Sequence, residues 1–232
     1  MRIHDTKQSR QGYLQIQIER SQKKFKFCKV SIRDTIKYVS IMCKYSILND
    51  TNKNSFRIIC MGTRSGREID LFRLALNCPF SAKILKLTEW HTAGFHSIFD
   101  GLFLPAGRSD LTKLAKGGVF GVEINPMAKR KDVYTGSFDE LPQEWEGQFD
   151  ILYSNSFDHS RDPHRTAEQW RKVTKKGGLF IIAFSSYSNV SDADLIEMLC
   201  LEDIRGLFPG KLLYYRDSGS KGNYSEVIIK NE

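Results

Sequence analysis

Two acidic positions in this chain lie at or shortly after the ends of apolar runs, where a side chain can meet a ligand. Glu123 ends the run Val119-Phe120-Gly121-Val122, and Asp158-His159 follows the run Phe149–Tyr153. A carboxylate at the end of a buried strand can accept two hydrogen bonds from a diol. A histidine at the mouth of a cleft can take a proton from a hydroxyl group. These residues predict a binding carboxylate, with His159 and Asp158 as the catalytic candidates; the alternative is that Asp158 and His159 cap or order the loop before Asp162-Pro163.

A glycine turn is the third feature with chemical meaning. The apolar run that ends at Met61 passes into Gly62-Thr63-Arg64-Ser65-Gly66 and then into residues that can start a helix. A buried strand followed by a glycine turn and a helix N-terminus places free backbone N–H groups beside a ligand. The turn therefore predicts a ligand-binding loop.

The elements that must position these residues alternate between strands and helices. We expect a helix over 31–46 with a capping box at Ser31–Asp34, a linker over 49–54, a strand over 56–61 and a helix over 66–76. Residues 77–117 exceed the length of an ordinary crossover. They predict an insertion that contains a strand near Lys83–Leu87.

The pattern of alternating strands and helices resumes at Gly118. The expected elements are a strand at 119–123, a strand or turn at 133–135, a strand at 149–153, a helix at 163–174, a buried strand at 179–184, a helix capped by 191–194 and a hairpin of 212–215 with 227–229. The pattern predicts an α/β fold, a doubly wound, Rossmann-like and mainly parallel sheet flanked by helices, with a C-terminal antiparallel hairpin. We expect two regions, a basic N-terminal segment with one helix (1–54) and the α/β domain (55–232).

Five motifs in order resemble those of class I S-adenosylmethionine (SAM)-dependent methyltransferases. The resemblance is to the type 11 branch, in its variant with Gly-x-Arg-x-Gly-x-Glu as first motif, and it covers about 56–185. The matching stretches are Gly62 to Glu68, Gly121-Val122-Glu123-Ile124-Asn125-Pro126, Gly136-Ser137-Phe138-Asp139, Phe149 to His159, and Glu168 to Gly178.

The resemblance implies SAM as the cofactor and assigns each motif a part of it. The glycine turn would face the methionine part, Glu123 would bind the ribose hydroxyls, and Phe138 would border the adenine. Asn155 and Ser156 would lie near the sulfonium. The cofactor-binding set so implied is Gly62, Thr63, Arg64, Gly66, Glu123, Ile124, Ser137, Phe138, Asn155 and Ser156.

Three departures from the family pattern leave alternatives open. Arg64 replaces the usual second glycine, and it either reaches the cofactor carboxylate or pairs with Glu68 four residues on. Ser137 stands where an acid is usual, with Asp139 as a substitute two residues later. Glu89 rivals Glu123 as the ribose ligand because it lies at a more ordinary distance from the glycines.

Composition limits the kinds of site and the cellular compartment that we expect for this chain. The chain has 232 residues, a net charge of +8 and five cysteines, an odd number with no pair at metal-ligand spacing. We therefore expect free thiols and no metal. No apolar run approaches the roughly 18 residues of a membrane helix and no signal-peptide pattern opens the chain, so a cytoplasmic protein is expected. The sequence does not fix the oligomeric state.

The first functional hypothesis is methyl transfer to a hydroxyl or amine of a small molecule or glycan. Methylation of RNA, DNA or protein is the alternative, supported by the basic stretch Lys23–Lys29. The strand ending in Ser-Asn-Ser-Phe lacks the Asn/Asp-Pro-Pro-Tyr/Phe tetrapeptide typical of base-amine methylation. A nicotinamide oxidoreductase is disfavoured because Gly-x-Gly-x-x-Gly is absent from the turn. A non-catalytic partner-binding domain is the remaining reading.

Overall fold

A computed structural model describes residues 1–3, 9–52, 54–77, 118–185, 191, 194–197, 199–218 and 224–232. Five helices lie in these ranges: α1 (Arg10–Lys23), α2 (Ile32–Lys44), α3 (Arg67–Leu76), α4 (Pro163–Val173) and α5 (Leu201–Leu207). The strands there are β1 (Arg2–Ile3), β2 (Arg57–Met61), β3 (Gly118–Glu123), β4 (Val133–Thr135), β5 (Phe149–Ser154), β6 (Thr174–Phe184), β7 (Ile196–Glu197), β8 (Gly210–Arg216) and β9 (Ser225–Asn231).

Seven strands form the central sheet in the order β4-β3-β2-β5-β6-β9-β8. The pairs from β4 to β6 are parallel, and β9 runs antiparallel to both β6 and β8. The chain builds β3 and β4 on one side of β2 and then continues with β5 on the other side. This reversal makes the β2–β5 boundary the switch point at which such sheets bind ligands. The predicted doubly wound sheet with a C-terminal hairpin is confirmed.

The register of the three central strands places their carboxyl ends side by side. Met61, the last residue of β2, pairs with Val122 of β3 and with Ser154 of β5. The residues at the adjoining edge are Gly62, Glu123 and Asn155. Three segments that are distant in sequence therefore meet at one end of the switch point.

Two apolar cores cover the two faces of the sheet. Because side chains alternate along a strand, Ile58 and Cys60 of β2 pack with α2 and α3, whereas Ile59 and Met61 pack toward α4 and α5. Trp170 of α4, fully buried, lies in the second core. The burial of helices on both faces holds the switch-point edge in place.

The N-terminal segment contains two helices where the sequence predicted one. The predicted helix over 31–46 is α2, and its capping box is formed, since Asp34 N–H donates to Ser31 Oγ and Ser31 N–H donates to Asp34 Oδ2. The additional helix is α1, capped by Ser9, whose Oγ accepts from Gly12 N–H. Residues 10–23, for which the sequence analysis predicted no helix, are thus helical.

The C-terminal third also differs in detail. The expected helix capped by 191–194 is wrong in position, because Ser191 and Asp194 form a β-bridge and α5 starts ten residues later at Leu201. The strand expected at 179–184 begins earlier, at Thr174, and passes through the glycine pair with Gly177 at a φ of 82°.

The insertion lies outside the described residues. The expected strand at Lys83–Leu87 and the rival ribose ligand Glu89 therefore fall outside the structural description. None of the helices in the described part of the chain is long and apolar enough to cross a membrane.

Candidate active site

A cleft opens at the carboxyl edge of β2, β3 and β5. It encloses about 550 Å³ of space, a figure that includes space open to solvent. The residues that line it are Leu14, Gln17, Arg20, Ser21, Gly62, Arg64, Glu123, Ile124, Ser137, Phe138, Asp139, Ser156 and His159. Eight of these are residues that the sequence had singled out as cofactor-binding or catalytic.

The glycine turn forms one wall because its backbone takes conformations that side chains disfavour. Gly62 has a φ of 75°, and a Cβ placed on it would lie 2.7 Å from the Oγ of Ser156. Arg64 has a φ of 48°, a left-handed conformation uncommon for residues other than glycine. The turn thus brings bare backbone next to the end of β5 and leaves room there for a ligand.

Glu123 forms the opposite wall and is the most heavily bonded acid of the cleft. Its side chain is buried, Oε2 accepts from the backbone N–H of Arg64 at 2.6 Å, and Oε1 accepts from the backbone N–H of Asn125 at 3.0 Å. Oε1 also accepts from the hydroxyl of Ser21 at 2.8 Å. This carboxylate is therefore held in one position and already binds a hydroxyl group.

The loop after β4 forms the floor. The ring of Phe138 packs edge-on against Trp170 at 5.6 Å between centroids, and its carbonyl accepts from the Trp170 indole. Ser137 Oγ accepts from the N–H of Asp139, and Asp139 accepts from Thr166. Burial raises the pKa of Asp139. Phe138 and Asp139 both line the cleft, which keeps Asp139 as the candidate substitute for the missing acid.

Other predicted residues support the cleft from behind. Thr63 is buried against Gly121, where a Cβ would lie 2.8 Å from the Thr63 side chain. Gly66 has a φ of 78° at the start of α3 and lies beside Arg130. Asn155 is buried, and its Oδ1 accepts from the hydroxyl of Ser156. These three residues shape the loop, whereas Ser156 itself faces the cleft.

The Arg64 side chain does not pair with Glu68, one of its two expected partners. Its guanidinium lies 5.2 Å from the ring centroid of Phe27, and Glu68 Oε2 is buried without a hydrogen-bond partner. Burial is the main reason that the pKa of Glu68 is raised to about 7. A buried carboxyl group without a full partner is thus part of the glycine motif.

His159 and Asp158 follow β5 in a short helical turn at the mouth of the cleft. The Nδ1 of His159 lies 2.6 Å from Oδ1 of Asp194 and 3.8 Å from Oδ1 of Asp158. All three atoms are buried, and the contact between Nδ1 of His159 and Oδ1 of Asp194 is at ion-pair distance, although its angles fall outside hydrogen-bond geometry. The sequence predicted His159 and Asp158 but missed Asp194, which tertiary structure brings from 35 residues away.

Charge at this cluster is balanced by an arginine. Arg20 lies 2.6 Å from Oδ2 of Asp194. Burial would raise the pKa of Asp194, but His159 and Arg20 outweigh it and lower that pKa to about 2. The three ligand-type atoms of Asp158, His159 and Asp194 lie within 4.8 Å of one another, a spacing that can hold a metal ion. The positive charge of Arg20 already occupies one side of that cluster.

Helix α1 covers the cleft, and sequence reasoning missed its role entirely. Ser21 reaches Glu123, Arg20 reaches Asp194, and the Tyr13 hydroxyl donates to the carbonyl of His159 at 2.7 Å. The one sequence signal for this helix is Ser9, a helix-capping residue type before Arg10. Its apolar residues do not form a clear stripe, so the pattern gave no reason to place it on a binding site.

A second cavity lies beside the first, at the same edge of the sheet. It encloses about 810 Å³, continuous with solvent, between the start of α2 and the ends of β5, β6 and β8. Tyr38, Tyr153, Tyr224 and Glu226 are among its lining residues. Burial, with the negative charges of Asp158 and Asp194, raises the pKa of Tyr224 to about 12.

Comparison with known families gives one match. A family model described as "Methyltransferase domain" matches residues 107–182, which span the end of the insertion, the Glu123 and Phe138 motifs, β5, α4 and most of β6. A comparison with curated proteins found no match.

Solved structures with a similar fold include several methyltransferases. A proposed sarcosine dimethylglycine methyltransferase from Galdieria sulphuraria is 13% identical with a TM-score of 0.50, and the alignment covers 86% of each chain. A SAM-dependent methyltransferase from Thermotoga maritima is 12% identical with a TM-score of 0.49, covering 95% of this chain and 99% of that one. One from Aquifex aeolicus is 11% identical with a TM-score of 0.45, covering 88% and 100%. At these identities the likeness concerns the fold.

Proposed function

We propose that this chain, in which residues 107–182 match a methyltransferase domain, is a SAM-dependent methyltransferase that methylates a hydroxyl or amine group of a small molecule or glycan. The observation that carries the proposal is the proximity of two groups. Glu123, a buried acceptor for hydroxyl groups, and His159, a proton acceptor, line one cleft. The first suits a cofactor with a diol and the second suits an acceptor that must lose a proton.

The chemistry of the residues that line the cleft fits the cofactor. Glu123 already accepts a hydrogen bond from the Ser21 hydroxyl, the chemistry that a ribose hydroxyl would supply. Gly62 leaves open the space that a Cβ would fill, and Phe138 offers an aromatic edge. We expect Glu123 to hold the ribose, Phe138 to border the adenine, and the turn at Gly62 with Ser156 to face the methionine part.

Bound SAM supplies an electrophilic methyl group on a sulfonium that leaves as a neutral thioether. The chain's residues orient the acceptor and receive its proton. Asp194 stays ionised, since its pKa is about 2, and lies against Nδ1 of His159. We assign the His159 proton to Nδ1 on this basis, which leaves Nε2 as the base for the acceptor O–H or N–H.

The second cavity supports an acceptor of modest size. It combines tyrosine rings with charged groups, including the buried Glu226, which binds Lys37 and the hydroxyl of Tyr38. This polar space, which is open to solvent, suits a small polar molecule or a sugar. Neither of the two cavities offers the broad surface that a macromolecular acceptor would need.

The first experiment is calorimetric titration with S-adenosylhomocysteine, with NAD as the control ligand. We expect micromolar binding of the first alone. Glu123→Gln loses a charge-assisted contact of about 1.5–3 kcal/mol, so its affinity should fall about 10- to 100-fold. Glu144→Gln, an exposed neighbour, should bind normally. Equal binding by Glu123→Gln would remove the ribose role from this residue, and no binding by any form would favour a non-catalytic domain.

The second experiment screens hydroxyl and amine acceptors with methyl-labelled SAM. For any acceptor found, His159→Gln should slow methyl transfer about 10²- to 10⁴-fold with unchanged S-adenosylhomocysteine affinity. His164→Gln, on an exposed histidine nearby, is the control. Adding a chelator separates this mechanism from a metal-dependent one. Full activity of His159→Gln, or loss of activity with the chelator, would contradict the general-base role.

Nucleic acid is the second candidate acceptor. Lys24, Lys26 and Lys29 are exposed on the connection between α1 and α2, beside a Phe27 that is 50% exposed. Cationic and aromatic side chains together can bind single strands. Binding of a labelled oligonucleotide that weakens steeply with salt, with methyl incorporation into it, would favour this acceptor over a small molecule.

A further inference from the structure

Helix α1 touches both halves of the candidate site at once. Ser21 bonds the cofactor-side carboxylate of Glu123, and Arg20, its neighbour, bonds Asp194 on the acceptor side. Tyr13, two turns earlier, donates to the carbonyl of His159. One helix therefore links the group expected to bind ribose to the group expected to accept a proton.

The Ser21 hydroxyl competes with the cofactor for Glu123, as a count of the acceptor positions on this carboxylate shows. A carboxylate has about four acceptor positions. Three of those on Glu123 are used, two on Oε1 by Ser21 and Asn125 and one on Oε2 by Arg64. A ribose diol needs two positions and only one is left. The two backbone N–H groups belong to the sheet edge and its turn, so Ser21 is the donor that must leave.

Ser21 cannot leave by a simple side-chain rotation into solvent. Its side chain is 7% exposed, and its Oγ also accepts weakly from the amide of Asn125 at 3.4 Å. Moving Ser21 away therefore moves the end of α1. Because Arg20 precedes it directly, the same displacement loosens the ion pair between Arg20 and Asp194.

We infer that α1 is a gate that the cofactor opens, with Ser21 as its latch on Glu123. In the closed state the Ser21 hydroxyl takes the place of a ribose hydroxyl, and Arg20 and Tyr13 hold the His159 cluster. Entry of the cofactor displaces Ser21, shifts α1 and frees the acceptor side. This inference rests on the proposed function, since it requires Glu123 to bind ribose.

The test compares S-adenosylhomocysteine binding by the full chain and by three variants. Ser21→Ala removes the competing donor and should bind two- to tenfold more tightly, the range expected for one net hydrogen bond. Tyr13→Phe releases the helix without touching Glu123 and should bind faster in stopped flow. Gln22→Ala, an exposed neighbour on α1, should match the natural chain.

Hydrogen exchange supplies an independent readout. Amides of α1 should lose protection when S-adenosylhomocysteine binds, while those of β5 should not. Unchanged affinity of Ser21→Ala together with unchanged or greater protection of α1 would overturn the gate and leave the proposed function intact. If neither the natural chain nor Ser21→Ala bound the ligand, the proposed function would fail, and the gate with it.

Discussion

Gly62 is the residue at which backbone geometry and the cleft can be tested most directly. Alanine at a φ of 75° costs about 1–2 kcal/mol, the penalty of the left-handed region. Its Cβ would also lie 2.7 Å from Oγ and 2.8 Å from Cβ of Ser156. Overpacking of this kind costs about 1–3 kcal/mol. Gly62→Ala should therefore lower the free energy of unfolding by about 2–5 kcal/mol.

Gly147 is a matched control because alanine there meets the cost of a positive φ without a steric contact. It has a φ of 61°, but a Cβ on it would meet no atom within 4 Å. Gly147→Ala should cost only about 1–2 kcal/mol. In urea denaturation, the double variant Gly62→Ala/Ser156→Gly, corrected for Ser156→Gly alone, should approach the Gly147→Ala value. Equal costs for Gly62→Ala and Gly147→Ala would refute the contact between the glycine turn and β5.

Two further predictions concern buried charge. Glu68 has a pKa raised from its ordinary value to about 7, mainly by burial, so the folded state holds a proton that the unfolded state releases. The free energy of unfolding should fall by roughly 3 kcal/mol as pH rises from about 4.5 to 7. Urea denaturation at several pH values should show that Glu68→Gln removes this pH dependence. An unchanged pH dependence in Glu68→Gln would mean that another group causes it. Asp132 pairs with Arg73 at 2.5 Å and with Arg130 at 2.9 Å, and although burial opposes it, these partners lower its pKa. Asp132→Asn should cost about 2–4 kcal/mol by leaving buried Arg73 underpaired, whereas Glu168→Gln at an exposed pair should change little; comparable losses in the two variants would contradict this reasoning.

Local patterns in the sequence were sufficient for most of the sheet. The apolar runs at β2, β3, β5 and β6 are visible as patterns because these strands are buried over several residues. The hairpin of β8 and β9 is visible because turn-forming residues separate its two apolar runs. The glycine turn was also predictable, since a left-handed backbone at Gly62 restricts the residue type. Order along the chain then predicted the topology, because parallel crossovers have few alternatives.

Helices α1 and α5 are the two elements that the sequence patterns missed or placed wrongly. Helix α1 is largely polar and is stabilised by a few tertiary contacts, such as Ser21 with Glu123, that have no periodic signature. Ser191 and Asp194 have the residue types of a helix cap, yet they form a bridge, because hydroxyl and carboxylate side chains serve turns as well as caps.

The sequence by itself determined the fold class, the cofactor family and the residues at the three strand ends, because each depends on contacts between near neighbours in the chain or on strand order. Only the tertiary structure decided that Asp194 lies against His159, that Arg64 turns toward Phe27, and that α1 closes over Glu123. These contacts join segments between 35 and 102 residues apart. Their geometry depends on how packed elements approach one another, which no local pattern of residue types encodes.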